Sequence, residues 1–221
     1  MDRRSTLPMA TDVTCSLIAL ALLFAPAGCT TAGALAHKFV GPPPVQPQYK
    51  PAKEPMLVLV ENYRNPSAAM LDAQRLSLLI GEQLHRYNVA PVVDPARLEA
   101  VRGDLAYAKM TIPAVGRAAG AKQVLYVNVK RFGVESTVAG EMMKGSTEMT
   151  VRVVDAATGD TRWPIDSGGV PVSLETPWLR QGEGANEASL REQMSRTAAD
   201  YIVKLFRKYR VDDEEAEQAV Q

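Results

Sequence analysis

Five consecutive apolar residues, Met56-Leu57-Val58-Leu59-Val60, follow Pro55 and precede the polar pair Glu61-Asn62. A run this short, without alternation, predicts a strand buried on both faces. Asn65-Pro66 then supplies a helix cap with proline at the first helical position. From there Ala69, Ala73, Leu76, Ile80, Leu84 and Tyr87 recur at steps of three and four and predict an amphipathic helix, with His85 on its polar side and Asn88 as the stop. Residues 89–93 form another short apolar run, read as a second strand at an edge or bulge because of Pro91. Asp94-Pro95 repeats the cap signal and predicts a helix over 95–102, and a further short helix over 113–119 ends at Gly120.

Residues 123–132 alternate, with Leu125, Val127 and Val129 on one face and Asn128 and Lys130 on the other. Residues 147–154 do the same, with Met149, Val151 and Val153 opposite Thr150 and Arg152; Met142-Met143 then lie in the connection between these strands, as adaptable contacts or loop packing. The stretch from Asp155 to Asp160 reads as a turn, with Asp155 and Asp160 as caps of backbone amides, and Thr161-Arg162-Trp163 starts the return strand. Residues 164–185, rich in Gly and Pro, read as one long loop, and Asn186 caps a final helix over 187–209 whose apolar face is Leu190, Met194, Ala198, Tyr201, Leu205 and Tyr209. The order is β-α-β-α-(α)-β-β-β-α. The expected fold class is α/β: a single mixed-sheet sandwich domain over residues 56–210, with an acidic tail over 211–221.

The ends of the chain add what periodicity does not. Arg3 and Arg4 precede an apolar stretch from Leu17 to Phe24, too short to cross a bilayer, and then Ala25-Pro26-Ala27-Gly28-Cys29. This is an export signal. Ala27-Gly28-Cys29 resembles the lipoprotein signal of bacteria, in which cleavage after the residue at Gly28 leaves a cysteine that receives diacylglycerol and acyl chains such as palmitate. Pro26 stands where that family usually has Leu or Val. Ala25-Pro26-Ala27 is also an acceptable site for ordinary signal peptidase, which would release a soluble chain starting at Gly28. A retained membrane anchor is the third reading. Residues 29–55, with prolines at 42, 43, 44, 47, 51 and 55, read as a lipidated extended tether, with a Pro-rich ligand for an aromatic groove as the lesser alternative. Thr30 after Cys29, where Asp would signal inner-membrane retention in the best-known lipoproteins, favours the outer membrane.

Charge and composition remove several functions. Lys plus Arg and Asp plus Glu number 25 each, and losing residues 1–28 removes two cations and two anions, so no basic field exists for nucleic acid. The two cysteines, Cys15 and Cys29, both lie near the N-terminus, and the two histidines are His37 in the tether and His85. No metal-spaced cluster, Walker loop or nucleophile elbow is present, and Gly168-Gly169 and Gly182-Glu183-Gly184 lack the helix and Lys of a phosphate cradle. The expectation is a non-enzyme with no cofactor. Lys204, Arg207, Lys208 and Arg210 are read as cations at a helix C-terminus, with weak attraction to anionic lipid opposed by the following acidic run.

The stretch Val151-Arg152-Val153-Val154-Asp155-Ala156-Ala157-Thr158-Gly159-Asp160-Thr161-Arg162-Trp163 resembles the V-x-V-V-D-x-x-T-G-x-x-x-W hairpin of a group of envelope domains. That group includes the TolB N-terminal domain, the CsgG lipoprotein and the LpoB-like activators of penicillin-binding proteins. Val58-Leu59-Val60-Glu61-Asn62 and Ala119-Gly120-Ala121-Lys122-Gln123-Val124-Leu125-Tyr126-Val127 are similar to their opening and central strands. The resemblance implies a periplasmic, non-catalytic protein that binds another envelope protein, such as a cell-wall synthase, a transporter or a secretion component. The candidate contacts are Trp178, Leu179 and Arg180 in the long loop, as a hot spot or as a lid on the core, and Trp163 at a strand end, read chiefly as cover for the sheet edge. A ligand- or lipid-binding lipoprotein serving a transporter, with a pocket lined by the Trp178 loop, is the competing class. The oligomeric state has no signature in the sequence.

Overall fold

The computed structural model describes residues 43–62, 70–165, 168–182 and 186–211. Its contacts separate Gln46–Tyr209, which holds every element below, from a second set made of Met1–Val45 and Arg210–Gln221. Asn65, Pro66, Ala69 and the processing site at Gly28 and Cys29 fall outside the described residues.

The six strands form one mixed sheet. Strand β1 (Met56–Glu61) pairs in parallel with β2 (Gln123–Ser136), which pairs antiparallel with β3 (Met142–Asp155). The three remaining strands, β4 (Thr161–Trp163), β5 (Val170–Glu175) and β6 (Leu179–Arg180), all pair with β3 at successive places along it. The connection from β1 to β2 contains α1 (Met70–Arg86), α2 (Pro95–Arg102), a 3₁₀ turn and α3 (Ile112–Ala118), and α4 (Glu187–Lys204) follows β6.

The unbroken apolar run of β1 is explained by burial on both sides. Met56, Val58 and Val60 join Leu76, Ile80 and Leu84 of α1 and Ala198, Ala199, Ile202 and Val203 of α4 in one core. Leu57 and Leu59 join Leu98 of α2, Val115 of α3, Val124 and Tyr126 in another. The result is three layers, helices on either face of the sheet. The Asp94 side chain accepts from the Ala96 amide, as the Asp-Pro signal requires, and Asn88 closes the first helix with φ of 50°.

Four expectations are corrected. Residues 89–93 are not a strand: Pro91 has no amide to donate, and only Val92 bridges Met56. The strands after Phe132 and before Thr147 continue, so Met142 and Met143 lie in β3 rather than in a connection. The stretch 164–185 contains β5 and β6. The last helix stops at Lys204, because the Gln48 and Tyr49 amides both donate to the Leu205 carbonyl, at 2.8 and 3.1 Å, and Phe206 turns inward. Its buried face is Leu190, Met194, Ala198, Ala199, Ile202 and Val203, which leaves Tyr201 exposed.

Part of the stretch read as tether is built into the domain. Gln123, fully buried, donates its side-chain amide to the carbonyls of Ala52 (2.8 Å) and Glu54 (3.1 Å), so residues 46–55 satisfy a polar group that would otherwise be stranded. The same segment is tied to the Asp155 turn through Arg162, which reaches Asp155 at 2.7 Å and Glu54 at 3.1 Å. Asp155 also accepts from the amides of Ala157 and Thr158, the capping role expected of a turn carboxylate. Gly159, at φ of 84°, completes a backbone that a side chain would strain.

Arg162, and then the two amides, hold the Asp155 carboxyl down to about 2. A depressed carboxyl contributes stability that is present above its unfolded value, near 3.9, and is lost as pH falls through the folded value. Thermal unfolding between pH 4 and 2 is therefore expected to show a fall in melting temperature that is reduced in Asp155→Asn. An equal slope in both proteins would contradict this.

Candidate partner-binding edge and open cleft

β6 exists because Pro177 ends one extended segment and Leu179-Arg180 return to the edge of β3 opposite Met143 and Met142. The backbone on either side of Trp178 is pinned. The Thr176 amide donates to Gly145 O at 2.9 Å and the Gln181 amide to Glu141 O at 2.9 Å. Gly145 N in turn donates to the Thr176 hydroxyl at 2.9 Å. Trp178 nevertheless stays 46% exposed, with Arg180 exposed and Leu179 half-buried. Val138, fully exposed, lies in the adjoining hairpin tip, whose base is closed by Thr137 N donating to Met142 O. A rigid backbone presenting a large aromatic side chain to solvent has little ordering entropy left to lose on binding. β5 beside it carries Pro171, which removes a donor from that edge strand and discourages strand addition. Recognition by side chains is the chemistry this edge allows.

Trp163 plays a different part. Its ring stacks on Tyr49 at 5.8 Å and meets Phe206 edge-on at 5.3 Å, closing the core where residues 46–55 enter. Trp163 faces Val153 and Leu179 faces Met143. Those positions on β3 are separated by roughly 30 Å of strand. The two tryptophans are therefore not one patch.

A cleft of about 580 Å³ opens on the sheet face not covered by α1 and α4, lined by Glu61, Met110, Tyr126, Asn128, Thr150 and Arg152 among others. The Arg152 guanidinium lies 5.1 Å from the centre of the Tyr126 ring, and its Nε is buried without a hydrogen-bond partner. Tyr107 donates to Glu61; burial first, and then that bond, push its phenol up to about 12. A phenol held neutral is a donor rather than a base. The cleft offers stacking and hydrogen bonds to a ligand. Trp178 does not line it. Among the described residues no group of three metal-ligating side chains occurs, and no helix is long and apolar enough to cross a membrane. His85 is exposed in the last turn of α1. The cleft has no signature in the sequence because Glu61, Tyr126 and Arg152 meet only through the pairing of β1, β2 and β3.

No family model matches the chain, and no curated protein matches it. Among solved structures, it is similar to the lipoprotein GNA1162 from Neisseria meningitidis at 19% identity and a TM-score of 0.39, over 69% of this chain and 99% of that one. It is also similar to the hypothetical protein CT253 from Chlamydia trachomatis, at 17% identity and a TM-score of 0.40, over 69% and 96% of the two chains. The PelC dodecamer from Paraburkholderia phytofirmans matches at 17% identity and a TM-score of 0.35, over 72% and 96%. Likenesses of this size leave the role of the chain to its own residues.

Proposed function

We propose that the protein is a non-catalytic lipoprotein of the cell envelope, anchored through Cys29 and facing the periplasm. Its α/β domain docks onto another envelope protein, of the cell-wall synthase, transporter or secretion class, through the end of the β2–β3 hairpin that carries Trp178. The observation that carries this reading is Trp178 itself, 46% exposed on a backbone pinned on both sides. The layout supports it. The polypeptide enters the domain beside Gln123 at one end of the hairpin, and Trp178 stands beside Met143 at the other. At about 3.3 Å per residue, the paired length of β3 carries the docking end some 40 Å from that entry. Thr30 after Cys29 favours the outer membrane as the site of the anchor.

Cross-linking tests it directly. A photoreactive residue in place of Trp178, in the lipidated protein in its own envelope, is expected to capture a defined partner, and one in place of exposed Leu71 is not. Trp178→Ala should lower recovery of that partner at least tenfold, with stability changed by less than about 0.5 kcal/mol, as for surface substitutions. Undiminished recovery with Trp178→Ala would sink the docking site. The cleft around Arg152 supports the second reading, a ligand carrier; a small molecule or lipid co-purifying with the wild type and lost in Arg152→Gln would favour it.

A further inference from the structure

Lys50 and Lys53, just before β1, and Arg207 and Lys208, just after α4, lie more than 150 residues apart in the chain, yet the fold sets them around one cavity. Its volume is about 410 Å³, and Tyr87 and Asn88, at the end of α1, complete its wall. Among the described residues no acidic side chain lines it. Of Lys204, Arg207, Lys208 and Arg210, expected at a helix C-terminus, only Lys204 lies in the last turn of α4; the other three lie beyond its end. Arg207 is fixed in place: its guanidinium sits 3.9 Å from the centre of the Tyr87 ring. Asp200 touches it at 3.5 Å but also neutralises Lys204 at 2.5 Å, and so leaves a surplus of positive charge. The Arg207 Nε is buried with no hydrogen-bond partner. Lys53 donates to the Asn88 carbonyl, which holds its ammonium at the rim.

We infer that this cavity is an anion site for a phosphate group. A rigid guanidinium supplies directional donors to tetrahedral oxygens, and three ammonium groups supply charge without fixed geometry. Four cations at one cavity repel each other unless an anion is shared among them. Gln46 and Pro47 line the same cavity, at the point where the polypeptide enters the domain. The phosphate comes either from the headgroup of an anionic lipid in the membrane that holds the chain or from a soluble phosphate compound. The chemistry of the cavity is the same for both.

The test uses the full chain carrying Cys29→Ala, so that no acyl group holds it to lipid. Inorganic phosphate is titrated by calorimetry, and flotation is measured with vesicles of phosphatidylglycerol and of phosphatidylcholine. Lys50→Gln with Lys208→Gln, both exposed positions, removes charge from the cavity. Arg86→Gln with Arg196→Gln removes the same charge from exposed helix faces. The expected result is at least a tenfold loss of binding with the first pair and less than a twofold loss with the second, weakened by salt in each case. Binding of inorganic phosphate identifies a soluble source. Flotation with phosphatidylglycerol alone identifies a headgroup. An equal loss from both pairs, equal flotation with phosphatidylcholine, or no binding to either probe would overturn the site.

Discussion

Trp163→Ala is expected to lower the unfolding free energy by about 3 kcal/mol, near the cost of removing a large core aromatic. The ring touches Tyr49 on one side and Phe206 on the other, and these contacts close the end of the larger core. Its loss strands both neighbours and weakens the hold on residues 46–55, whose amides at Gln48 and Tyr49 bond to Leu205. Two measurements check this: denaturant unfolding, and limited trypsin digestion, which should cut first at Lys53 in the variant, since Lys50 precedes Pro51 and resists cleavage. A loss under about 1 kcal/mol with unchanged digestion would show that Trp163 is peripheral.

The second large effect lies in α1. Ile80 is fully buried between α1, the sheet and α4, so Ile80→Ala should cost about 3 kcal/mol through lost apolar transfer and the cavity left behind. Leu71 and Leu78, on the same helix and equally apolar, are 80% and 53% exposed, and alanine at either should change stability by less than about 0.5 kcal/mol. Chemical denaturation of the three variants ranks them. Equal costs at Ile80 and Leu78 would mean that the helix is rotated from the register described.

That register was legible in the sequence because Ala73, Leu76, Ile80 and Leu84 repeat at steps a helix must satisfy, and all four are buried. The Asp94-Pro95 cap and the Asp155 turn were legible for a similar reason: each is a local bond between neighbours. What was not legible depends on distant partners. Val170-Pro171-Val172 carries too little pattern to announce a strand, and it becomes one only because β3 is long enough to pair with it. The prolines of residues 46–55 suit an extended linker and a packed segment equally. The difference is made by the buried amide of Gln123, more than 65 residues away. Residues 89–93 failed in the opposite direction, their apolar side chains finding burial without a ladder of hydrogen bonds.

The candidate site divides in the same way. Trp178 was identifiable as a large aromatic residue without a periodic element to bury it, and it is half exposed. Trp163 had the same composition signal but is held by Tyr49, which no local pattern associates with it. The cationic cavity had half a signal, in Arg207 and Lys208, and its other half came from the entering segment.

The anchor is the claim on which the docking geometry depends, and the intact mass of the processed protein, with its partition between membrane and soluble fractions, tests it most directly. A lipid-anchored protein is expected to give a chain beginning at Cys29 with added acyl mass, found in the membrane and released to the soluble fraction by Cys29→Ala. A chain beginning at Gly28 without acyl mass, soluble with or without that substitution, would contradict it.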